Sequence, residues 1–129
     1  MDEYGYTWDA FEVTTEDDYI VSAFRITGTT ENGPITPTKE SLLIMHGHSQ
    51  DATSWIEDYK RQPPLLKPDY TPGKPMPLQL ADLGYDVWMG NNRGTRYSLG
   101  HKTIPATDSK YWNWSWSEMG LYDAPAFID

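Results

Sequence analysis

Two stretches of the chain carry unbroken apolar runs of strand length. Leu42-Leu43-Ile44-Met45 runs into His46-Gly47-His48, and Tyr85-Asp86-Val87-Trp88-Met89-Gly90 runs into Asn91-Asn92-Arg93-Gly94. Short apolar runs closed by glycine turns are the pattern of parallel strands covered on both faces. The first therefore reads as a short, fully buried strand ending in a His-Gly turn. Upstream the pattern changes to alternation. Residues 11–15 and 19–26 are rich in β-formers and flank the turn residues Glu16-Asp17-Asp18, which predicts an antiparallel hairpin. The Thr-, Gly- and Pro-rich stretch 28–39 reads as a surface loop. It is not a domain boundary, because an apolar strand follows it directly.

Beyond the first buried strand, Asp51-Ala52-Thr53-Ser54-Trp55-Ile56 predicts a short helix capped by Asp51. Residues 62–77 hold six prolines and no periodicity, so they read as a long irregular excursion of the kind that is often functional. Residues 76–84 predict a helix, with Pro77 near its first turn, Gly84 as its stop, and Leu78, Leu80 and Leu83 available to face the sheet. In 111–119 tryptophan alternates with small polar residues. That stretch is either a strand with one aromatic face or an irregular segment feeding a helix near Tyr122-Asp123-Ala124-Pro125. The placement of Pro125 two residues after Asp123 favours the second. The order hairpin, strand, helical segment, helix, strand is the start of an α/β domain. A length of 129 residues fits one domain or part of one.

Composition narrows the function. With 38% hydrophobic and 22% charged residues, the chain is neither a disordered tail nor a membrane protein. No apolar run reaches the roughly 18 residues of a membrane span. The net charge of −9 argues against nucleic acid as a partner, since phosphate binding needs a basic footprint. An acidic surface is compatible with an acidic compartment. No cysteine is present, which excludes disulfides and thiolate chemistry within the chain. Residues 1–5 have neither a basic nor an apolar leader region. Asn113-Trp114-Ser115 fits the short glycosylation pattern. Six tryptophans and nine tyrosines favour a large packed core or an apolar ligand surface.

The candidate chemistry gathers after the two apolar strands. Gly47-His48-Ser49-Gln50-Asp51 resembles the Gly-x-Ser-x-Gly turn of a serine nucleophile, except that Asp51 stands where the second glycine belongs and would crowd the strand–helix contact. Three readings of this stretch stand. Ser49 is a nucleophile, or the loop supplies a backbone N–H to a developing oxyanion, or it is a plain turn; the missing glycine favours the oxyanion loop. His46 and His48 lack a supporting carboxylate at metal-ligand spacing, and His46 reads as a turn histidine bonded to backbone. His101 would need an acid to orient it as a base; Asp108 and Asp123 are candidates only by count, and an exposed loop histidine is the plainer reading. Gly90-Asn91-Asn92-Arg93-Gly94 lacks phosphate-loop spacing and reads as a structural strand exit in which Arg93 pairs with a buried carboxylate. Trp112, Trp114 and Trp116 could line an acyl pocket, but core packing is the simpler expectation.

These residues together resemble the N-terminal part of the acid lipases, an α/β-hydrolase family that includes gastric lipase, lysosomal acid lipase and steryl ester hydrolases. The matching segments run nearly end to end. They are Tyr4-Gly5-Tyr6, residues 12–20, His46-Gly47-His48 with Ser54-Trp55-Ile56, residues 80–94, and residues 114–126. The resemblance implies an α/β fold in which residues 1–129 form the N-terminal portion of a single α/β-hydrolase sheet, incomplete without a C-terminal partner chain. It implies a secreted or lysosomal serine lipase hydrolysing acylglycerol or steryl esters, with lipid as substrate, transient contact with a lipid surface, and no cofactor or metal. The residue after the family's His-Gly pair donates the oxyanion N–H; here that is His48, where family members usually carry an apolar side chain. The triad residues lie beyond the matched segments. The family's elbow strand would pair with the strand at 42–45, so residues 1–129 alone are expected to be unstable. A non-catalytic truncated hydrolase module that binds lipid or a protein is the alternative.

Overall fold

The computed structural model describes residues 1–61 and 73–129. Of the irregular excursion expected over 62–77, residues 62–72 lie outside the described residues. The hairpin forms from β1 (Tyr6–Thr14) and β2 (Tyr19–Thr29), paired antiparallel from Thr14–Ile20 back to Tyr6–Thr29. Both strands extend further than the alternating pattern announces. The turn is fixed by Thr15, which accepts the Tyr19 N–H on its hydroxyl at 3.0 Å and donates that hydroxyl to Asp17 at 2.7 Å. Asp18 takes the left-handed conformation (φ 71°) that closes the turn, which aspartate tolerates better than most residues.

Four long strands run through the sheet in the order β1, β2, β5 (Asp86–Asn91) and β4 (Ser41–Met45). β5 runs antiparallel to β2 and parallel to β4, with Leu42 opposite Val87 and Ile44 opposite Met89. Two short strands, β3 (Gly33–Pro34) and β6 (Gly100–His101), pair with the ends of β2. The expected α/β architecture is therefore present, a mixed sheet with helices packed on it. β4 differs from its reading as a fully buried strand. Only Ile44 is buried, while Leu42, Leu43 and Met45 are half-buried. The physical reason is its place at the sheet edge, where no described strand pairs with its outer side.

Helices α1 (Ser54–Arg61) and α2 (Met76–Asp82) pack on one face, burying Ala52, Ile56, Leu78 and Ala81 against Phe24, Val87 and Met89. α1 begins two residues later than a helix capped by Asp51 would; Asp51 spends its carboxylate on the Thr53 N–H and hydroxyl. α2 has Pro77 in its first turn, where the missing N–H has no helical partner anyway. Gly84 follows it at φ 92°, and a Cβ there would come within 2.5 Å of Thr38 Oγ1. Leu78 is buried, but Leu83 is 59% exposed, so it does not face the sheet. Tyr6 anchors β1 to α2 by donating its hydroxyl to Asp82 at 2.5 Å, and Lys74 bonds both.

The tryptophan-rich segment is not a strand. It forms a 3₁₀ turn (Ser109–Trp112), α3 (Trp116–Glu118), a π-helical turn (Met119–Asp123) and α4 (Ala124–Ile128). The helical stretch starts earlier than expected because Ser115 and Glu118 form a reciprocal capping box, which satisfies the first orphan N–H groups.

Candidate active site

Parallel neighbours end on the same sheet edge, so the loops leaving β4 and β5 lie side by side. Ligands of open α/β sheets bind at such an edge. Here the two loops and the 114–119 segment enclose a cleft of about 580 Å³. His46, His48 and Ser49 line it from β4, Asn92 and Arg96 from β5, and Trp114, Trp116 and Met119 from the third side.

The β4 loop is held by hydrogen bonds on both sides of His48 and Ser49. The Asn92 N–H donates to His46 Nε2 at 3.1 Å. Nδ1 therefore carries the imidazole proton, and it donates to the Gly47 carbonyl at 2.8 Å. His46 is thus the backbone-bonded turn histidine that the sequence suggests. Gln50 folds back, giving its N–H to the Gly47 carbonyl and taking the Gly47 N–H on Oε1, each at 3.2 Å. His48 is exposed at the mouth, its ring 4.7 Å from Trp116 at an interplanar angle of 32°. Among the described residues no acceptor takes the His48 N–H.

Ser49 has one feature of a nucleophile elbow, a φ of 56°. A strand, β4, also precedes it, but the remaining features are missing. No helix starts beside it, since α1 begins at Ser54, and among the described residues no histidine bonds its hydroxyl. His101 is not an exposed loop residue. It sits half-buried in β6, edge-on to Tyr19 at 4.6 Å, with Nδ1 accepting the N–H groups of Thr103 and Ile104. Neither carboxylate considered for it is near in role. Asp108 caps the 3₁₀ turn, and Asp123 is buried against Arg93. Among the described residues no cluster of three His, Asp or Glu is placed to hold a metal.

Arg93 forms the floor behind the cleft, and the expected buried partner is Asp123. The guanidinium reaches Asp123 at 2.8 and 2.7 Å and Asp17 at 2.6 and 2.8 Å, and its own backbone N–H goes to Asp123 at 2.8 Å. It also stacks 3.9 Å from the Tyr19 ring. Three segments far apart in sequence meet there: the hairpin turn, the β5 exit and the π-helical turn. Burial pushes the Asp123 carboxyl up despite its contacts with Arg93. At Asp17 burial works the same way, but the Arg93 and Thr15 hydrogen bonds prevail and hold it below the usual range. Gly94 follows at φ 81°, and a Cβ there would meet the Trp114 indole at 2.5 Å.

The tryptophans depart from the core-packing expectation. Trp112 is 46% and Trp116 64% exposed, and Trp114 is half-buried on the cleft wall. The capping box Ser115-x-x-Glu118, legible as Ser-x-x-Glu, is the signal that would have placed Trp116 at the start of a helix facing the cleft. Arg96 escapes any sequence argument. It bridges the two loops by pairing with Asp51 at 2.9 Å and donating to Thr53 at 2.7 Å.

Residues 1–59 match a family profile described as a partial alpha/beta-hydrolase lipase region. Over 125 residues the chain is 38% identical to Lipase member N of Homo sapiens, covering 97% of the chain and 28% of that protein. It is 38% identical over 129 residues to Triacylglycerol lipase 2 of Arabidopsis thaliana, covering 98% of the chain and 28% of that protein. Lipase 1 of Drosophila melanogaster is 36% identical over 127 residues, covering 98% of the chain and 24% of that protein. The chain thus spans less than a third of the length of these relatives. With the mixed sheet and edge cleft already described, it belongs to the lipase family of α/β-hydrolases.

Proposed function

We propose that these residues supply the oxyanion side of a serine lipase active site. The nucleophile, acid and base come from polypeptide outside residues 1–129, and the whole site hydrolyses carboxylic esters of the acylglycerol or steryl type. The observation that carries the reading is the His48 N–H. His48 lies in the loop that leaves the C-terminal end of β4 and lines the cleft, and its N–H has no acceptor among the described residues. A backbone donor held ready before reaction is what a tetrahedral oxyanion requires. Attack by the serine on the ester carbonyl places negative charge on the carbonyl oxygen, and the N–H stabilises it until the alcohol leaves. Residues 1–129 form part of one hydrolase domain in this reading, and the enzyme works in a secreted or lysosomal setting on a lipid surface.

The donor is backbone, so the departure from the family's usual apolar side chain at 48 leaves it in place. In the assembled enzyme, His48→Leu keeps the N–H and should retain ester hydrolysis within about tenfold, whereas His48→Pro removes it and should lower kcat by about 10²–10³. Tryptophan fluorescence checks folding of both. Abolition of turnover by His48→Leu in a folded enzyme would give the imidazole a chemical role and overturn the assignment.

A further inference from the structure

We infer that His46 is a positioning residue for the oxyanion donor, locked in one tautomer by the exit of β5, and that Asn91, Asn92 and Arg93 form the platform on which the oxyanion loop is set. The inference rests on the reading of the His48 N–H given above.

The argument starts from the planarity of the peptide bond. The Gly47 carbonyl and the His48 N–H belong to one peptide unit and point in opposite directions. Whatever fixes that carbonyl also aims that N–H. Two donors converge on the Gly47 oxygen, His46 Nδ1–H at 2.8 Å and the Gln50 N–H at 3.2 Å. Donors on the carbonyl also polarise the amide and strengthen its N–H as a donor in turn.

The imidazole can donate from Nδ1 in this way only while its other nitrogen is spoken for. Nε2 accepts the Asn92 N–H at 3.1 Å, which selects the Nδ1–H tautomer; the partner of one ring nitrogen sets the state of the other. Asn92 is itself held between two anchored neighbours. Asn91 is wholly buried, takes the Ala52 N–H on Oδ1 at 2.9 Å and donates its amide to the Ser22 carbonyl at 3.3 Å. Arg93 is fixed by Asp123 and Asp17. The loop from 46 to 52 is therefore tied at both ends to consecutive residues of one strand exit, by Asn92 at His46 and by Asn91 at Ala52. A turn histidine that merely filled space would need neither the bond to Gly47 nor a defined tautomer.

The test uses three replacements in the assembled lipase, with a soluble p-nitrophenyl ester as substrate. His46→Asn keeps an amide donor near the Nδ1 position. His46→Gln places its amide near Nε2, where it can accept from Asn92 but cannot reach Gly47. His46→Phe keeps the ring and loses both bonds. The expected result is a kcat loss of about 10-fold to 10²-fold for Gln and Phe, below the ceiling for losing an oxyanion donor outright. KM should stay within about threefold, and Asn should recover most of the rate, because donor orientation acts on the transition state and not on ground-state binding. Wild-type rates for Gln and Phe, or an Asn variant as slow as Phe, would overturn the positioning role. If His48→Pro also keeps full turnover, the donor assignment itself has failed; if His48→Pro is inactive while His46→Gln is normal, only the role of His46 has. A readout independent of activity is the ¹⁵N spectrum of the imidazoles at neutral pH. His46 should show protonated Nδ1 and bare Nε2, and an Nε2–H tautomer would refute the inference even if the variants fail to fold.

Discussion

Replacing Asp123 by alanine tests whether the Arg93 cluster holds the three segments of the site together. Both side chains of the Arg93–Asp123 pair are fully buried, whereas Asp17 is 26% exposed. Removing one partner of a buried ion pair costs about 3–5 kcal/mol. Asp123 also accepts the Arg93 backbone N–H, and orphaning a buried donor costs about 1–3 kcal/mol. Part of this is offset, because the guanidinium keeps both bonds to Asp17 and its stacking on Tyr19. The expected net loss is about 4 kcal/mol, much of a typical domain's stability of about 5–15 kcal/mol. Asp17→Ala leaves a one-to-one buried pair and removes a partner that water can reach, so it should cost only about 1–2 kcal/mol. The combined replacement Asp17→Asn, Arg93→Met and Asp123→Leu, which takes all three charges out, should regain part of the loss. The assay is urea unfolding of the assembled enzyme, followed by tryptophan fluorescence at neutral pH, with the slope checked for constancy. A loss below about 1 kcal/mol for Asp123→Ala, or a larger loss for Asp17→Ala, would show that burial does not set the hierarchy argued from.

Three further outcomes are expected. A serine-reactive phosphonate should label the assembled enzyme at a residue other than Ser49, and an adduct mapped to Ser49 would replace the oxyanion-loop assignment. A polypeptide of residues 1–129 made alone should aggregate or stay loosely packed, because among the described residues no strand pairs with the outer side of β4, where Leu42 and Leu43 are half-buried; a sharp cooperative melt of a monomer would contradict this. Acid stability should depend on Asp86, where burial is outweighed by hydrogen bonds from Arg25 and Trp88 that hold the carboxyl below the usual range. A depressed folded-state pKa stabilises above the unfolded value of about 3.9, and that stability is lost as pH falls through the folded value. Asp86→Asn should therefore be less stable than wild type at neutral pH and converge on it as pH falls below about 4; a gap that stays constant with pH would rule out the ionised pair.

The parts of this fold that sequence revealed are those in which side-chain pattern and structure share a period. The hairpin alternation, the apolar runs of β4 and β5, and Pro77 and Gly84 at the ends of α2 each announce an element directly. Arg93 was legible for a different reason: an arginine inside a glycine-rich strand exit has few ways to be buried except against a carboxylate. Its partner was not legible, because Asp123 turns inward through a π-helical turn, a device with no simple residue signature. The helical reading of the tryptophan segment matches the structure despite its strand-like alternation, but the expectation of core packing does not: the Ser115–Glu118 capping box starts a helix at Trp116 that leaves this side chain exposed.

The proposed oxyanion loop marks where residue identity stops carrying information. Of the bonds that set it, the Asn91 amide and the His46 imidazole need those side chains. The Asn92 N–H that fixes the His46 tautomer would be offered by any residue but proline at 92, and the His48 N–H by any but proline at 48. Selection on such groups acts through geometry and leaves little trace in the residue itself. On the proposed reading a histidine at 48 is therefore compatible with the donor role. If the His48 N–H is the oxyanion donor, as proposed, the side chain at 48 is free to change because the donor is not part of it, while His46 and Asn91 act through their side chains. Substitutions should therefore be tolerated in the order 48, then 91 and 46. A deep mutational scan of the assembled lipase for ester turnover would refute the argument if position 48 proved as restrictive as position 46.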